Sequence, residues 1–243
     1  MKCRRAVVKL GGSVITVKDK PETVNPEAIS YTSRTLADHY GTGGELIIVH
    51  GGGSFGHYAV KKIIQEKGRL DVSDAPLIQA SMLRLAGKLL GSLLEEGIPA
   101  TLHPAHTLCG DSCSLEPLVR DLGAGLAPVT YGDAVVTSRG VYILSGDDLA
   151  ADVSIAVGAD CLIYATNVPG VLKAGGEVVR ILYSDAIHIA NGVSGVDVTG
   201  GMARKVKAAI RVSDVIGNVR IIHYRDLPQA LAGLDVGTRV LKK

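Results

Sequence analysis

Short apolar runs rich in β-branched residues alternate with longer amphipathic stretches along the whole chain. The runs Ala6–Leu10, Leu46–His50, Pro99–Leu102, Pro128–Tyr131, Ala134–Thr137, Val141–Leu144, Cys161–Ala165 and Arg220–His223 read as strands. The segments Pro26–Tyr40, His57–Lys67, Ala75–Glu96, Asp147–Val157 and Met202–Ile216 carry the helical period. Asn25 before Pro26, and Asp74 shortly before Pro76, supply a cap residue with an early proline. Gly41, Gly68, Gly97 and Gly217 fall where helices should end. Strands alternating with helices predict an αβα sandwich with a mostly parallel open sheet. Ala134–Thr137 and Val141–Leu144, split by Ser138-Arg139-Gly140, predict a hairpin, and Ala174-Gly175-Gly176 a second one. No repeat, low-complexity tract or linker interrupts the pattern, so residues 1–243 read as one domain.

Composition narrows the function. A net charge of +2 without basic blocks gives no electrostatic footprint for nucleic acid. With eight Tyr, one Phe and no Trp, base-stacking platforms are not expected either. No apolar run approaches the roughly 20 residues that span a bilayer, so no membrane partner is expected. Only a handful of apolar residues follow Met1-Lys2-Cys3-Arg4-Arg5, too few for a signal peptide. Four Cys at uneven spacing predict no disulfide framework and place the chain in a reducing cytoplasm. Glycine is the outlier, with 30 residues against a usual share of about 7%.

Those glycines concentrate where strands give way to helices. The loops are Lys9-Leu10-Gly11-Gly12-Ser13, His50-Gly51-Gly52-Gly53-Ser54-Phe55-Gly56-His57, Ser145-Gly146-Asp147-Asp148 and Thr199-Gly200-Gly201-Met202. Without a Cβ, glycine lets backbone N–H groups approach an anion, and a following helix N-terminus adds a positive dipole end. Loops after parallel strands collect at the carboxyl edge of the sheet, where α/β folds bind ligands. With Lys9, Lys18 and Lys205 beside them, these loops point to phosphate binding. Two common fingerprints overlap the second loop and fail. Gly51-x-Gly53-x-x-Gly56 satisfies a dinucleotide motif, yet Asp71 and Asp74 sit in a polar loop rather than at the next strand's end. The P-loop spacing runs into His57-Tyr58, where Lys and Ser or Thr are needed.

Lys9-x-Gly11-Gly12-Ser13, His50-Gly51-Gly52-Gly53, Thr199-Gly200-Gly201-Met202-x-x-Lys205 and Gly237-Thr238 together resemble the amino-acid kinase superfamily. Gly11-Gly12-Ser13-Val14-Ile15-Thr16-x-Lys18 joined to the octapeptide His50–His57 is similar, more narrowly, to isopentenyl phosphate kinases. The resemblance runs from Lys9 to Val240. It implies ATP-dependent phosphorylation of isopentenyl phosphate to isopentenyl diphosphate, with Mg²⁺ accompanying ATP, in a cytoplasmic homodimer. The acceptor side would lie in about residues 1–160 and the nucleotide side in about 161–243.

The same resemblance implies roles by position. Lys9 and Lys18 would face the transferring phosphoryl group, and Lys205 the ATP phosphates. Gly11, Gly12, Ser13, Gly53, Thr166, Gly200 and Gly201 would cradle ATP, with Lys9 also touching it. Gly52, His57, Ser145 and Gly146 would hold the acceptor phosphate, Ile78 and Met82 its apolar tail, and Asp147 would orient the lysines. The chemistry fits this inventory. A phosphate monoester is largely a dianion at pH 7 and needs no general base, so the task is to bring two polyanions together with fixed cations and N–H donors.

One segment departs from the pattern. Relatives commonly carry Thr-Asp-Val-Asp-Gly near the nucleotide base and ribose, whereas this chain has Thr166-Asn167-Val168-Pro169-Gly170. His103, His106, Cys109 and Cys113 crowd into eleven residues but match no standard zinc spacing, so a structural loop and no metal site is expected. His39, His188 and His223 have no partner at motif spacing and read as structural, and Asp148 as a second acid or a helix cap. Two alternatives stay open: a related kinase for another alkyl phosphate or phosphonate, and a non-catalytic ATP-binding module.

Overall fold

The structure is a computed structural model that describes residues 2–183, 196–197 and 200–243. Met1, His188 and Thr199 lie outside the described residues. Among the described residues one sheet has eight strands. Their spatial order is β3 (Ala100–Leu102), β4 (Ala127–Tyr131), β2 (Glu45–His50), β1 (Arg5–Leu10), β7 (Cys161–Thr166), β11 (Asn218–His223), β12 (Thr238–Leu241) and β9 (Ile181–Tyr183). Every neighbouring pair is parallel except β11 with β12. The expected hairpin forms as β5 (Ala134–Thr137) and β6 (Gly140–Ile143). In the second, a turn closes with Gly176 N–H donating to Lys173 O, and β8 (Leu172–Lys173) also pairs with β10 (Val196–Asp197).

The central strands are buried on both faces, because alternate side chains feed two separate cores. Val7, Ile47, Val49, Leu162, Tyr164, Val219 and Ile221 face one layer. That layer comprises α5 (Ala105–Leu108), α6 (Glu116–Gly123), α7 (Gly146–Ala156) and α8 (Gly200–Val212). Ala6, Val8, Leu10, Leu46, Ile48, Ile163 and Ala165 face the other. It comprises α1 (Gly12–Ile15), α2 (Pro26–Gly41), α3 (Gly53–Lys67), α4 (Ala75–Glu95) and α9 (Leu227–Leu231). The αβα sandwich follows from this partition.

Several local expectations change. Asn25 does cap α2, its side chain accepting from Ala28 N–H. Asp74 makes no such bond to α4; its carboxylate pairs with Lys67 and accepts from the Asp71 N–H instead. Gly68 and Gly97 adopt the left-handed conformation beyond helix ends, but Gly41 belongs to α2, and α8 stops at Val212, well before Gly217. Helix α3 begins at Gly53 rather than His57, because the glycine loop itself winds into the first turn. Helix α4 with its lead-in is long and apolar enough to cross a membrane, counter to the sequence reading. Here it packs as a core helix, burying Ile78, Met82, Leu85 and Leu89.

The cysteine expectation is overturned. Cys3 pairs with Cys161 and Cys109 with Cys113 as disulfides. The first pair is 158 residues apart in sequence, and only the β1–β7 register, with Ala6 beside Cys161, brings the two together. The second closes a tight antiparallel bridge within one loop. Spacing alone conceals both.

Two glycines lock the loops after β1 and β2 against each other. A Cβ on Gly12 would overlap the Gly53 amide nitrogen, and Gly53 itself has φ +48°. Gly12→Ala should therefore lower the stability of the fold, by the order of 1–3 kcal/mol expected when rigid backbone must move. Gly41→Ala, on open helix surface with nothing within 4 Å, should raise it by up to about 1 kcal/mol. Thermal unfolding of both variants checks the pair of signs.

Candidate active site

The loops after β1, β2 and β7 and the first turns of α7 and α8 surround a cleft of about 940 Å³ at the carboxyl edge of the central strands. Lys9, Gly11, Gly12, Ser13, Lys18, Gly53, His57, Asp147, Thr166, Gly201 and Lys205 all line it. The Gly12–Gly53 contact shapes its floor. Thr16 staples the same joint, its Oγ1 donating to Gly12 O at 2.7 Å and accepting from the Ser54 N–H at 2.9 Å. Because α3 starts at Gly53, His57 stands in its second turn with its ring open to the cleft.

At the centre, Asp147 Oδ1 lies 2.8 Å from both Lys9 Nζ and Lys205 Nζ. Lys9 comes from the end of β1, Asp147 from the first turn of α7 and Lys205 from α8. All three side chains are almost fully buried, so the charges interact through little solvent. Burial alone would raise the Asp147 pKa, but Lys9 and Lys205 overcome it and hold the carboxyl at about 2. Burial and the Lys9 charge bring Lys205 down to about 8, with Asp147 opposing. Ser145 caps α7 by accepting from the Asp147 N–H, and the Tyr164 hydroxyl donates to Asp147 O at 3.1 Å. The Tyr164 ring also lies 5.2 Å from Lys205 Nζ. His57 is lowered from its ordinary pKa by desolvation, then by Lys9 and Arg204, with Asp147 opposing, so it is neutral near pH 7.

Other expected residues stand back from the cleft. Gly52, Ser145, Gly146 and Gly200 support its walls without lining it. A Cβ on Gly146 would come within 2.9 Å of His50 O, so this loop packs tightly against the end of β2. Ile78 and Met82 are sealed in the interior. Ile78 packs with Ile63, Ala75 and Ala134, and Met82 with Ala86 and Tyr131. The Thr166 hydroxyl is held between Val168 O and Ile222 O, while Ser13 Oγ donates to Asn167 Oδ1 at 3.3 Å.

The histidine–cysteine loop disperses its groups. His103 pairs with Asp121 at 2.9 Å, His106 with Asp133 at 2.5 Å, and the two cysteines with each other. Among the described residues no group of three or more His, Cys, Asp or Glu is placed to hold a metal. Sequence reasoning missed Thr16, Tyr58, Lys61 and Met202 as cleft residues and Tyr164 as a support. Thr16 and Met202 lay inside motifs already singled out, and Lys61, four residues beyond His57 on one helix face, also had a readable signal.

Residues 4–223 match the sequence profile of the amino acid kinase family. The chain is 36% identical to isopentenyl phosphate kinase of Haloferax volcanii, over 83% of this chain and 85% of that one. It is 30% identical to acetylglutamate kinase of Koribacter versatilis, over 90% of each. A crystal structure of isopentenyl phosphate kinase superposes with TM-score 0.81 at 23% identity, covering 97% of this chain and 99% of that one, which speaks to the fold. A glycine-walled cleft with lysines from three separated parts of the chain, set in this sheet, agrees with the profile match, and the chain belongs to the amino acid kinase family.

Proposed function

We propose that the protein transfers the γ-phosphoryl group of ATP to isopentenyl phosphate, giving isopentenyl diphosphate and ADP. The observation that carries this reading is the position of His57, a neutral ring donor open to a cleft already lined with lysines and glycine backbone. Such a donor can serve a dianionic phosphate acceptor through a charge-assisted hydrogen bond. Gly11, Gly12, Ser13, Gly53, Thr166, Gly200 and Gly201 hold the nucleotide on the side formed by about residues 161–243 and the β1 loop. Gly52, His57, Ser145 and Gly146 position the acceptor, whose tail enters between α3, α4 and the β5–β6 hairpin once Ile78 and Met82 make room.

An acceptor phosphate oxygen attacks the γ-phosphorus; the new O–P bond forms as the bond to the β–γ bridging oxygen breaks, and ADP leaves with that electron pair. No proton has to move. Lys9 and Lys205 stabilise charge on the transferring group, Asp147 keeps both in place, and Lys18 closes over the phosphoryl in flight. Asp147 is committed to two lysines, and among the described residues no carboxylate cage is placed for Mg²⁺, which would enter bound to ATP. An ATP-consuming enzyme belongs in the cytoplasm, where two disulfides are unusual outside hyperthermophiles. We assign a homodimer, using the exposed apolar face of α4 with Leu83 and Leu94; light scattering reads it out.

A coupled ADP-release assay over alkyl phosphates should show turnover of isopentenyl phosphate and none of isopentenol or acetylglutamate. Comparable use of either of those would overturn the assignment. His57→Ala should lower kcat/KM for the acceptor about a hundredfold, within the range for losing a hydrogen bond to a charged group, and His57→Gln should recover part of it.

Lys205 sets an alkaline limit. Its ammonium form binds ATP, and its pKa lies at about 8, so the charge is lost as pH rises through that value. Accordingly kcat/KM for ATP should fall above about pH 8, and the fall should disappear in Lys205→Arg, whose charge persists; a fall that survives in Lys205→Arg would assign it to another group.

Asp147→Asn should destabilise the fold by about 3–5 kcal/mol, the scale for stranding buried charge. Adding Lys205→Met should restore part of that loss, because one of the two stranded charges is gone. Chemical denaturation of the single and double variants measures the coupling.

A further inference from the structure

Helix α3 divides its side chains between two surroundings. Ala59, Val60 and Ile63 pack toward Ile78 and Ala134, whereas His57, Tyr58 and Lys61 line the cleft. His57 and Lys61 are one turn apart, so both reach the same side of the helix. The neighbouring Lys67 is engaged with Asp74 at the far end of α3. Lys61 forms no ion pair with any acid among the described residues.

The charges around the cleft are unbalanced. Among the described residues Lys9, Lys18, Lys61 and Lys205 line it against Asp19 and Asp147. Asp147 neutralises its share of Lys9 and Lys205, and Asp19 follows Lys18 in sequence. An unpaired ammonium on a concave wall already crowded with cations is repelled by them, and a polyanion relieves the repulsion.

We propose that Lys61 is a substrate-binding residue for the phosphate groups on the acceptor side, acting one turn beyond His57 and retaining the diphosphate as its charge grows. The proposal rests on the phosphoryl-transfer reading above. Lys61 reaches the acceptor phosphate from the α3 side, while Lys205 serves ATP from α8, so the two lysines divide the substrates between them. The flexible ammonium suits a group whose position shifts as a monophosphate becomes a diphosphate.

Steady-state kinetics of Lys61→Met and Lys61→Arg, with the unfolding temperature recorded for each, test this. Lys61→Met should raise KM for isopentenyl phosphate about tenfold, the scale of one charge-assisted hydrogen bond, with KM for ATP and kcat near those of the parent. Lys61→Arg should return most of the affinity. Parent-like KM for the acceptor in folded Lys61→Met, or a rise confined to KM for ATP, overturns the assignment. A second readout is independent of turnover: acetylation of lysines by an activated ester, read by mass spectrometry with and without inorganic pyrophosphate. Protection of Lys61 by pyrophosphate supports the site even if the parent proves inactive on isopentenyl phosphate, in which case only the acceptor identity fails. Unprotected Lys61 at pyrophosphate concentrations that raise the unfolding temperature overturns the proposal whatever the acceptor.

Discussion

Two ammonium groups share one oxygen, Asp147 Oδ1, at 2.8 Å each, and the cleft is built around that arrangement. Neither lysine would remain charged and buried alone, because desolvation penalises an isolated ion heavily. The carboxylate makes their coexistence tolerable without cancelling them, leaving one net positive charge on a fixed geometry. The Tyr164 hydroxyl on the Asp147 carbonyl and the Ser145 cap on its N–H then hold the backbone that carries the carboxylate.

The sheet order makes this cluster possible. β1 lies between β2 and β7, so its exit loop is bordered by the loops of both neighbours. Lys9 stands opposite Tyr164 in the β1–β7 register, which puts the cation next to the ring that also flanks Lys205. Parallel pairing aims all three loops at one edge, and the missing side chains of Gly12 and Gly53 allow two of them to touch. The touching glycine loops and the anchored cations therefore result from the same topology.

Much of this was legible in the chain. Long periodic segments and β-branched runs located the central strands and the four longest helices, since burial on two faces leaves a strong pattern. The four-residue helices α1 and α5 carry too few positions for any period to register, and β12 is a short antiparallel strand after a loop. That the glycine loops and Lys9, Lys18 and Lys205 meet at one cleft was readable because they follow strands whose exits share one sheet edge. Tyr164 was not, because a tyrosine inside a buried strand looks like core until the register shows what lies across from it. The disulfide Cys3–Cys161 was hidden for the same reason: it depends on a pairing between the two ends of a 158-residue separation. Ile78 and Met82 show the opposite limit, since an apolar helical stripe does not distinguish a sealed core from a tail pocket.

The β1–β7 pairing also has a temporal side. During synthesis β1 emerges more than 150 residues before its partner Cys161–Thr166, and Lys205 comes later still. Strands β3, β4, β2 and β1 have one another to pair with in the meantime, so the nascent chain has a partial sheet to occupy while β1 keeps one bare edge. The phosphate-handling cluster, by contrast, cannot exist on the ribosome-bound fragment. Lys9, Asp147 and Lys205 come from three widely separated segments, so the central charge cluster is assembled only when the last of them has been made and folded.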